Sequence, residues 1–131
     1  MNIVLTAEQQ EYWHEGRMTL NAVDNAIEGG IVIGEVSLYD YDALNLRSSF
    51  GIVVYPLFRR KGYGRAILTE LHNLCRNTLH LHQLYVDILD TNLASQQLFE
   101  SAGYIHVGLQ RDWTYDGKHF HDTYRYQYIL N

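Results

Sequence analysis

The apolar positions of this chain change period several times, and each change marks an element. Residues 6–16, "TAEQQEYWHEG", read as a short helix with Thr6 as N-cap and Gln9 at the capping-box position. Met18 to Val23 reads as a strand and "AIEGG" as a turn. From Ile31 to Tyr39 the chain alternates, with Val32, Gly34, Val36 and Leu38 on one face and Glu35, Ser37 and Tyr39 on the other. These two strands make a hairpin, followed by an acidic connection, "DYDALNLR". Ser49 to Tyr55 is apolar on both faces, as a strand central in a sheet must be.

The period then becomes helical. Ala66, Ile67, Leu71, Leu74, Cys75 and Thr78 form one stripe, which predicts a helix from about Tyr63 to Thr78. His82 to Leu89 returns to alternation with Leu84, Val86 and Ile88 inward. Asn92 to Ala102 is a second helix, closed by Gly103 in a C-terminal capping position. Tyr104 to Gln110 and Asp122 to Leu130 are two further strands, with Asp116-Gly117 in the turn region between them. A strand–helix–strand unit inside a mostly antiparallel sheet predicts one mixed α/β domain over residues 1–131.

Composition narrows the class of partner. The 131 residues carry a formal charge of −5, against the broad basic face that nucleic-acid binding requires. A cationic small molecule or a basic peptide suits that charge better. The chain has one cysteine, Cys75, so an intrachain disulfide is excluded and a reducing, cytoplasmic location is expected. With neither a leader pattern nor an apolar stretch long enough for a bilayer, no membrane association is expected.

Against this acidic background, "RRKGYG" (59–64) concentrates positive charge on flexible backbone. It follows a strand and opens a helix, where several N–H groups are unpaired and the helix dipole is positive. Gly62 and Gly64 leave amides bare, and Arg59, Arg60, Lys61 and Arg65 add full charges. The arrangement suits a diphosphate. It lacks the lysine–serine pair of a Walker loop and the third glycine of a dinucleotide fingerprint. On composition alone, a solvated basic turn fits as well as an anion site.

Larger stretches carry a resemblance. Arg59-x-x-Gly62-x-Gly64 after "IVVYP" resembles motif A of the GCN5-related N-acetyltransferases (GNAT). "DTNLASQQLFESAGY" (90–104) resembles their asparagine-led second signature. "GLQRDWTYDGKHFHDTYRYQYIL" and "VIGEVSLYDYD" resemble the spermidine/diamine and ribosomal-protein acetyltransferase branch. The resemblance covers roughly residues 18 to 131. It implies a mostly antiparallel sheet with a splayed parallel strand pair and flanking helices, the family's first strand and helix being missing here. It also implies acetyl-CoA as co-substrate, no metal, and direct attack of an amine on the thioester. The expected acceptor is a polyamine, a diamine or a protein amino group. A homo-oligomer is expected, in which a partner subunit covers the exposed sheet edge.

Site residues follow from the same resemblance. Ile52, Val53 and Val54 would pair with the pantetheine arm, and an amide near Val54 would polarise the acetyl carbonyl. The amides of Arg59, Arg60, Lys61, Gly62, Tyr63, Gly64 and Arg65 would hold the pyrophosphate. Asn92 would bond the pantetheine end, with Ser95 nearby. Phe99 stands where the family usually carries the tyrosine that protonates the leaving thiolate, so water, Ser95 or Tyr85 would supply that proton. The strand position where relatives often carry glutamate is Ser49. The remaining carboxylates on the acceptor side are Glu35, Asp40, Asp42 and Asp87. Glu35 is the candidate base, and Asp40 and Asp42 are candidates for attracting a cationic acceptor; a solvated strand face and a solvated acidic turn are the plain alternatives. Cys75 needs no nucleophilic role.

Two histidine pairs, His80-x-His82 and His119-x-His121-Asp122, have metal-like spacing without evident convergence. Tyr124, Tyr126 and Tyr128 share one face of the final strand, for sheet packing or a dimer surface. The competing readings are a non-catalytic or weakly active acyl-CoA-binding module, motivated by Phe99 and the short start, and an unrelated phosphate-binding domain.

Overall fold

In the computed structural model the described residues are 2–4, 22–28 and 30–130. Seven strands form one sheet: β1 (Asn2–Val4), β2 (Ala22–Glu28), β3 (Ile31–Asp42), β4 (Arg47–Val54), β5 (Gln83–Leu89), β6 (Ile105–Tyr115) and β7 (Phe120–Ile129). A 3-10 turn, Pro56–Phe58, follows β4. Helix α1 (Tyr63–Asn77) links β4 to β5, and α2 (Leu93–Ser101) links β5 to β6. The spatial order is β1-β2-β3-β4-β5-β7-β6, and among the described strands only β4 and β5 run parallel.

The mixed, mostly antiparallel sheet and its strand–helix–strand crossover match the sequence reading. A short edge strand, Asn2–Val4, also pairs with β2, Asn2 opposite Ile27. The helix expected over 6–16 lies outside the described residues, as does most of the strand expected over 18–23. The described strand continues through Glu28, so the turn expected at "AIEGG" falls later, with Gly30 at φ +81°.

In β3 the expected inward set is shifted at its start. Ala26 pairs with Gly34 and Ile27 with Val32, so Ile33 is the extra residue of a bulge. Ile33 is therefore buried while Val32 is exposed, and beyond the bulge Val36 and Leu38 face the core as expected. β6 and β7 extend past their predicted ends. Trp113, Tyr115 and Phe120 carry the hairpin outward beyond the core and are solvent-exposed.

Among the described residues the core lies between the sheet and helices α1 and α2. Ile67, Leu68, Leu71 and Cys75 of α1 pack with Val36, Leu38 and Phe50 and with the inward row Leu84, Val86 and Ile88. His72, unforeseen in the helical stripe, is also buried; its Nε2 shares a 2.7 Å hydrogen bond with the Tyr104 hydroxyl. Tyr128 stacks on the imidazole with ring centroids 4.3 Å apart. Burial, with the Arg76 charge in support, pushes the His72 pKa down to about 4, so the ring is neutral at physiological pH. Tyr126 is buried and donates to Glu100 Oε1. The tyrosines of the last strand thus serve packing.

Candidate active site

The functional geometry begins where the parallel pair parts. β4 and β5 are paired at three positions, Arg47 with Gln83, Ser48 with Leu84 and Ser49 with Tyr85. Beyond Ser49, β4 stays on β3 and β5 stays on β7, so the sheet opens between them. A cleft of about 890 Å³ fills the opening.

The ladder fixes which groups face the cleft. The Tyr55 N–H donates to the Ile33 carbonyl at 2.9 Å, which puts odd-numbered β4 residues in the β3 ladder. The backbone groups of Phe50, Ile52 and Val54 therefore turn toward the gap. Arg59 confirms the phase, because its Nε donates to the Val54 carbonyl at 2.9 Å on that side. Gly34 lets β3 and β4 stay close at this point: a β-carbon there would collide with the Val53 carbonyl.

One end of the cleft is the basic loop. Gly62 is the N-cap of α1 at φ +81° and ψ 6°, a left-handed conformation that suits glycine, and no side chain caps the helix. The first helical bond is Ala66 N–H to the Gly62 carbonyl at 3.2 Å. The preceding amides of the first turn are left for an external acceptor. The two glycines differ in their reasons. A β-carbon on Gly62 would meet nothing within 4 Å, whereas one on Gly64 would lie 3.2 Å from Leu98 Cδ2. Gly64 thus brings α1 and α2 together, a packing role that the loop composition did not disclose.

The far wall is α2. Asn92 is its N-cap, accepting the Ser95 N–H on Oδ1 at 3.2 Å, so the carbonyl end of this amide is committed to the helix and Nδ2 is the end left for a ligand. Gln96 ties the preceding loop by donating to the Leu89 and Asp90 carbonyls. Phe99 lies buried at the base of the cleft, edge-on to Phe50 (5.8 Å) and Tyr104 (5.1 Å).

Of the expected site residues, Ile52, Val53, Val54, Arg59, Arg60, Gly62, Tyr63, Gly64, Asn92, Ser95 and Phe99 line the cleft. Glu35, Asp40, Asp42, Lys61 and Arg65 do not. Arg65 donates to the Ser101 hydroxyl (2.8 Å) and carbonyl (3.1 Å), pinning the end of α2. Glu35, opposite Val53 in the ladder, accepts the Tyr55 hydroxyl at 2.7 Å. Asp42 accepts the Leu44 and Asn45 amides and Asn45 Nδ2, and lies 3.3 Å from Arg47 Nη2; these bonds hold its carboxyl below the usual range. It closes its own turn.

Sequence reasoning missed Tyr39, whose ring lies against Gly51, and the apolar Phe58 and Leu98. The alternation of β3 did place Tyr39 on the face with Glu35, away from the helices. The histidine pairs do not converge. His121 instead lies between two carboxylates, Asp116 Oδ2 at 2.7 Å and Asp90 Oδ1 at 3.6 Å. Among the described residues no cluster of three or more His, Cys, Asp or Glu side chains is arranged to hold a metal.

The chain thus combines a sheet that opens between two parallel strands with bare helix amides at the mouth of the opening. The sequence profile of the GNAT acetyltransferase domain matches residues 2–105, and the chain belongs to that family. A similar curated protein is the spermidine N(1)-acetyltransferase of Vibrio cholerae serotype O1, 26% identical over 100 residues that make up 76% of this chain. The chain spans 57% of that relative's length. Among solved structures, mutant forms of the spermidine/spermine N-acetyltransferase SpeG from Vibrio cholerae superpose with a TM-score of 0.81 at 18% identity, covering 94% of this chain and 75% of theirs. A dodecameric spermidine N-acetyltransferase from the same organism gives 0.80 at 18%, with 94% and 72% covered. At that identity the likeness concerns the fold.

Proposed function

We propose that the protein transfers the acetyl group of acetyl-CoA to a primary amine. The observation that carries this reading is the opening between β4 and β5, with the uncapped start of α1 at its mouth. Acetyl-CoA supplies an activated acyl group joined to a diphosphate-bearing tail. The cleft fits both: its volume admits an extended arm, and the Gly62–Gly64 turn leaves amides and cations for the diphosphate. The Ile52 and Val54 backbone groups serve as strand-like partners for the arm, and the Val54 N–H is the donor we assign to the acetyl carbonyl. Arg59 and Arg60 draw the diphosphate in, and the Asn92 amide and Ser95 hold the arm. Phe99 brings no proton, so the leaving thiolate takes one from Ser95 or from water; thiols ionise near pH ~8.5, which makes that departure easy.

The acceptor we favour is a polyamine or diamine, in line with the named activity of the Vibrio relatives and with the chain's net charge of −5. A homo-oligomer is also proposed. Ile105, Val107 and Leu109 of the edge strand β6 are exposed apolar residues that a second copy would cover, and a relative of this fold is dodecameric. No helix among the described residues is long and apolar enough to cross a membrane; we place the protein in the cytoplasm because its one cysteine is a free thiol.

Calorimetry with acetyl-CoA, followed by a thiol-release assay against spermidine, shorter diamines and a basic peptide, tests the reading. Binding and amine-dependent release are expected. Absence of binding overturns it, and binding without release from any amine points to an acyl-CoA-binding module.

A further inference from the structure

Among the described residues lining the cleft there is one carboxylate, Asp87. It lies on β5 two residues beyond Tyr85, the last rung before the strands part. The inward row of β5 is Leu84, Val86 and Ile88, so alternation places Asp87 on the sheet face away from the helices. Tyr39 and Gly51 line the same cleft on that face. Asp87 is thus the described carboxylate on the side of the cleft opposite the helices.

Asp87 is held firmly. Arg125, its partner across the β5–β7 ladder, donates from Nε to Oδ1 at 2.9 Å and from Nη2 to Oδ2 at 3.0 Å. The guanidinium carbon lies 4.7 Å from the centre of the Tyr85 ring, which fixes the arginine in turn. A bidentate pair uses two of a carboxylate's roughly four acceptor positions. The others are left for a further donor, and Asp87 lines the cleft.

We propose that Asp87 receives the acceptor's ammonium group and passes its proton through water to solvent, with Arg125 as the residue that positions the carboxylate. This rests on the transferase reading above. The amine nitrogen forms the new C–N bond as the thioester C–S bond breaks. Of the two protons that an ammonium sheds, one ends on the CoA thiolate and one leaves by way of Asp87. Among the described residues the charged or titratable groups around the site are Arg125 on β7, Tyr85 on β5, Tyr39 and Asp40 on β3, Arg47 on β4, and Arg59, Arg60 and Tyr63 at the cleft mouth. Glu35 stands off the cleft with Tyr55 on one of its oxygens.

The test compares the parent with Asp87→Asn, Asp87→Glu and Arg125→Gln, with circular dichroism to check folding. Asp87→Asn is expected to bind acetyl-CoA within about twofold of the parent but to lose roughly 10²–10⁴-fold in kcat/KM for spermidine near neutral pH. That deficit should shrink as pH rises and the free amine becomes abundant. Asp87→Glu should fall between the two, and Arg125→Gln should lose about 3–10-fold with a displaced pH profile. Parent-like kcat/KM in Asp87→Asn across about pH 6 to 9 overturns this inference alone. A parent that binds acetyl-CoA but acetylates no amine overturns the transferase reading and this one with it.

Discussion

Two charged turns in this molecule have opposite fates. The hairpin turn between β6 and β7 closes on itself: Asp116 Oδ1 accepts the Lys118 N–H at 2.8 Å and the His119 N–H at 2.7 Å, and Oδ2 bonds His121. The backbone bond from His119, then His121 and Lys118, pushes the Asp116 pKa down to about 2. The turn from Arg59 to Gly62 contains no carboxylate, and its helix start has no side-chain cap. Both turns hold a left-handed glycine, Gly62 at φ +81° and Gly117 at +97°. The difference is the acceptor. A glycine-containing turn with its own carboxylate is complete, whereas one without it presents amides to whatever anion arrives.

Giving the open turn an acceptor of its own tests this comparison most severely. Gly62→Asp would place a carboxylate at the N-cap, satisfy the amides locally and repel a diphosphate. Acetyl-CoA affinity measured by calorimetry is expected to fall at least about 100-fold, with left-handed strain adding to the loss. Unchanged affinity would remove the cradle assignment. A gentler probe is salt. If Arg59 and Arg60 act by attraction, raising ionic strength from about 0.05 to 0.5 M should weaken acetyl-CoA binding several-fold. Salt-independent binding would leave the amides as the sole grip.

The converse substitution opens the closed turn. Asp116→Ala should lower the thermal midpoint by about 2–4 °C, and anion affinity should not appear at 116–119, which lacks a following helix. A new anion site there, seen by chemical-shift titration with pyrophosphate, would break the comparison.

The smallest expected effect is a pH window. Asp116 titrates below its ordinary 3.8, so its contribution is present above about pH 4 and is lost as pH falls toward 2. His121 is held above its ordinary 6.5, chiefly by the Asp116 bond, so its contribution is complete below 6.5 and fades as pH rises through the raised value. The stability difference between parent and Asp116→Ala should therefore be greatest between about pH 4 and 6.5. A difference flat from acid to alkali would sink this pairing.

What could be read from the chain was set by periodicity and by backbone-specific residues. Helix α1 was legible almost to the residue, because its apolar stripe begins at a left-handed glycine and the chain turns away at Thr78. The boundaries of α2 were legible from Asn92 and Gly103, both of which cap. The ends of β6 and β7 were not, since an outstretched hairpin is held by cross-strand pairing and not by inward apolar residues. The Ile33 bulge was also hidden, because one inserted residue reverses the facing pattern without altering composition. Residues that the motif named for their backbone groups, Ile52, Val54, Gly62 and Gly64 among them, line the cleft. His72, Tyr39 and the role of Gly64 depend on contacts between elements distant in sequence, and no local pattern encodes those. Asp87 was visible as one carboxylate among four; only the parting of the strands singles it out.

The burial of Cys75 has a practical side. The side chain is wholly enclosed under α1, and burial pushes its thiol up to about 12. While the protein is folded, a thiol-reactive dye should count released CoA against a silent background, with no cysteine replacement needed. The same dye, added during heating or denaturant titration, should report the fraction of molecules whose helix has lifted from the sheet. One reagent would then read turnover and unfolding in the same cuvette.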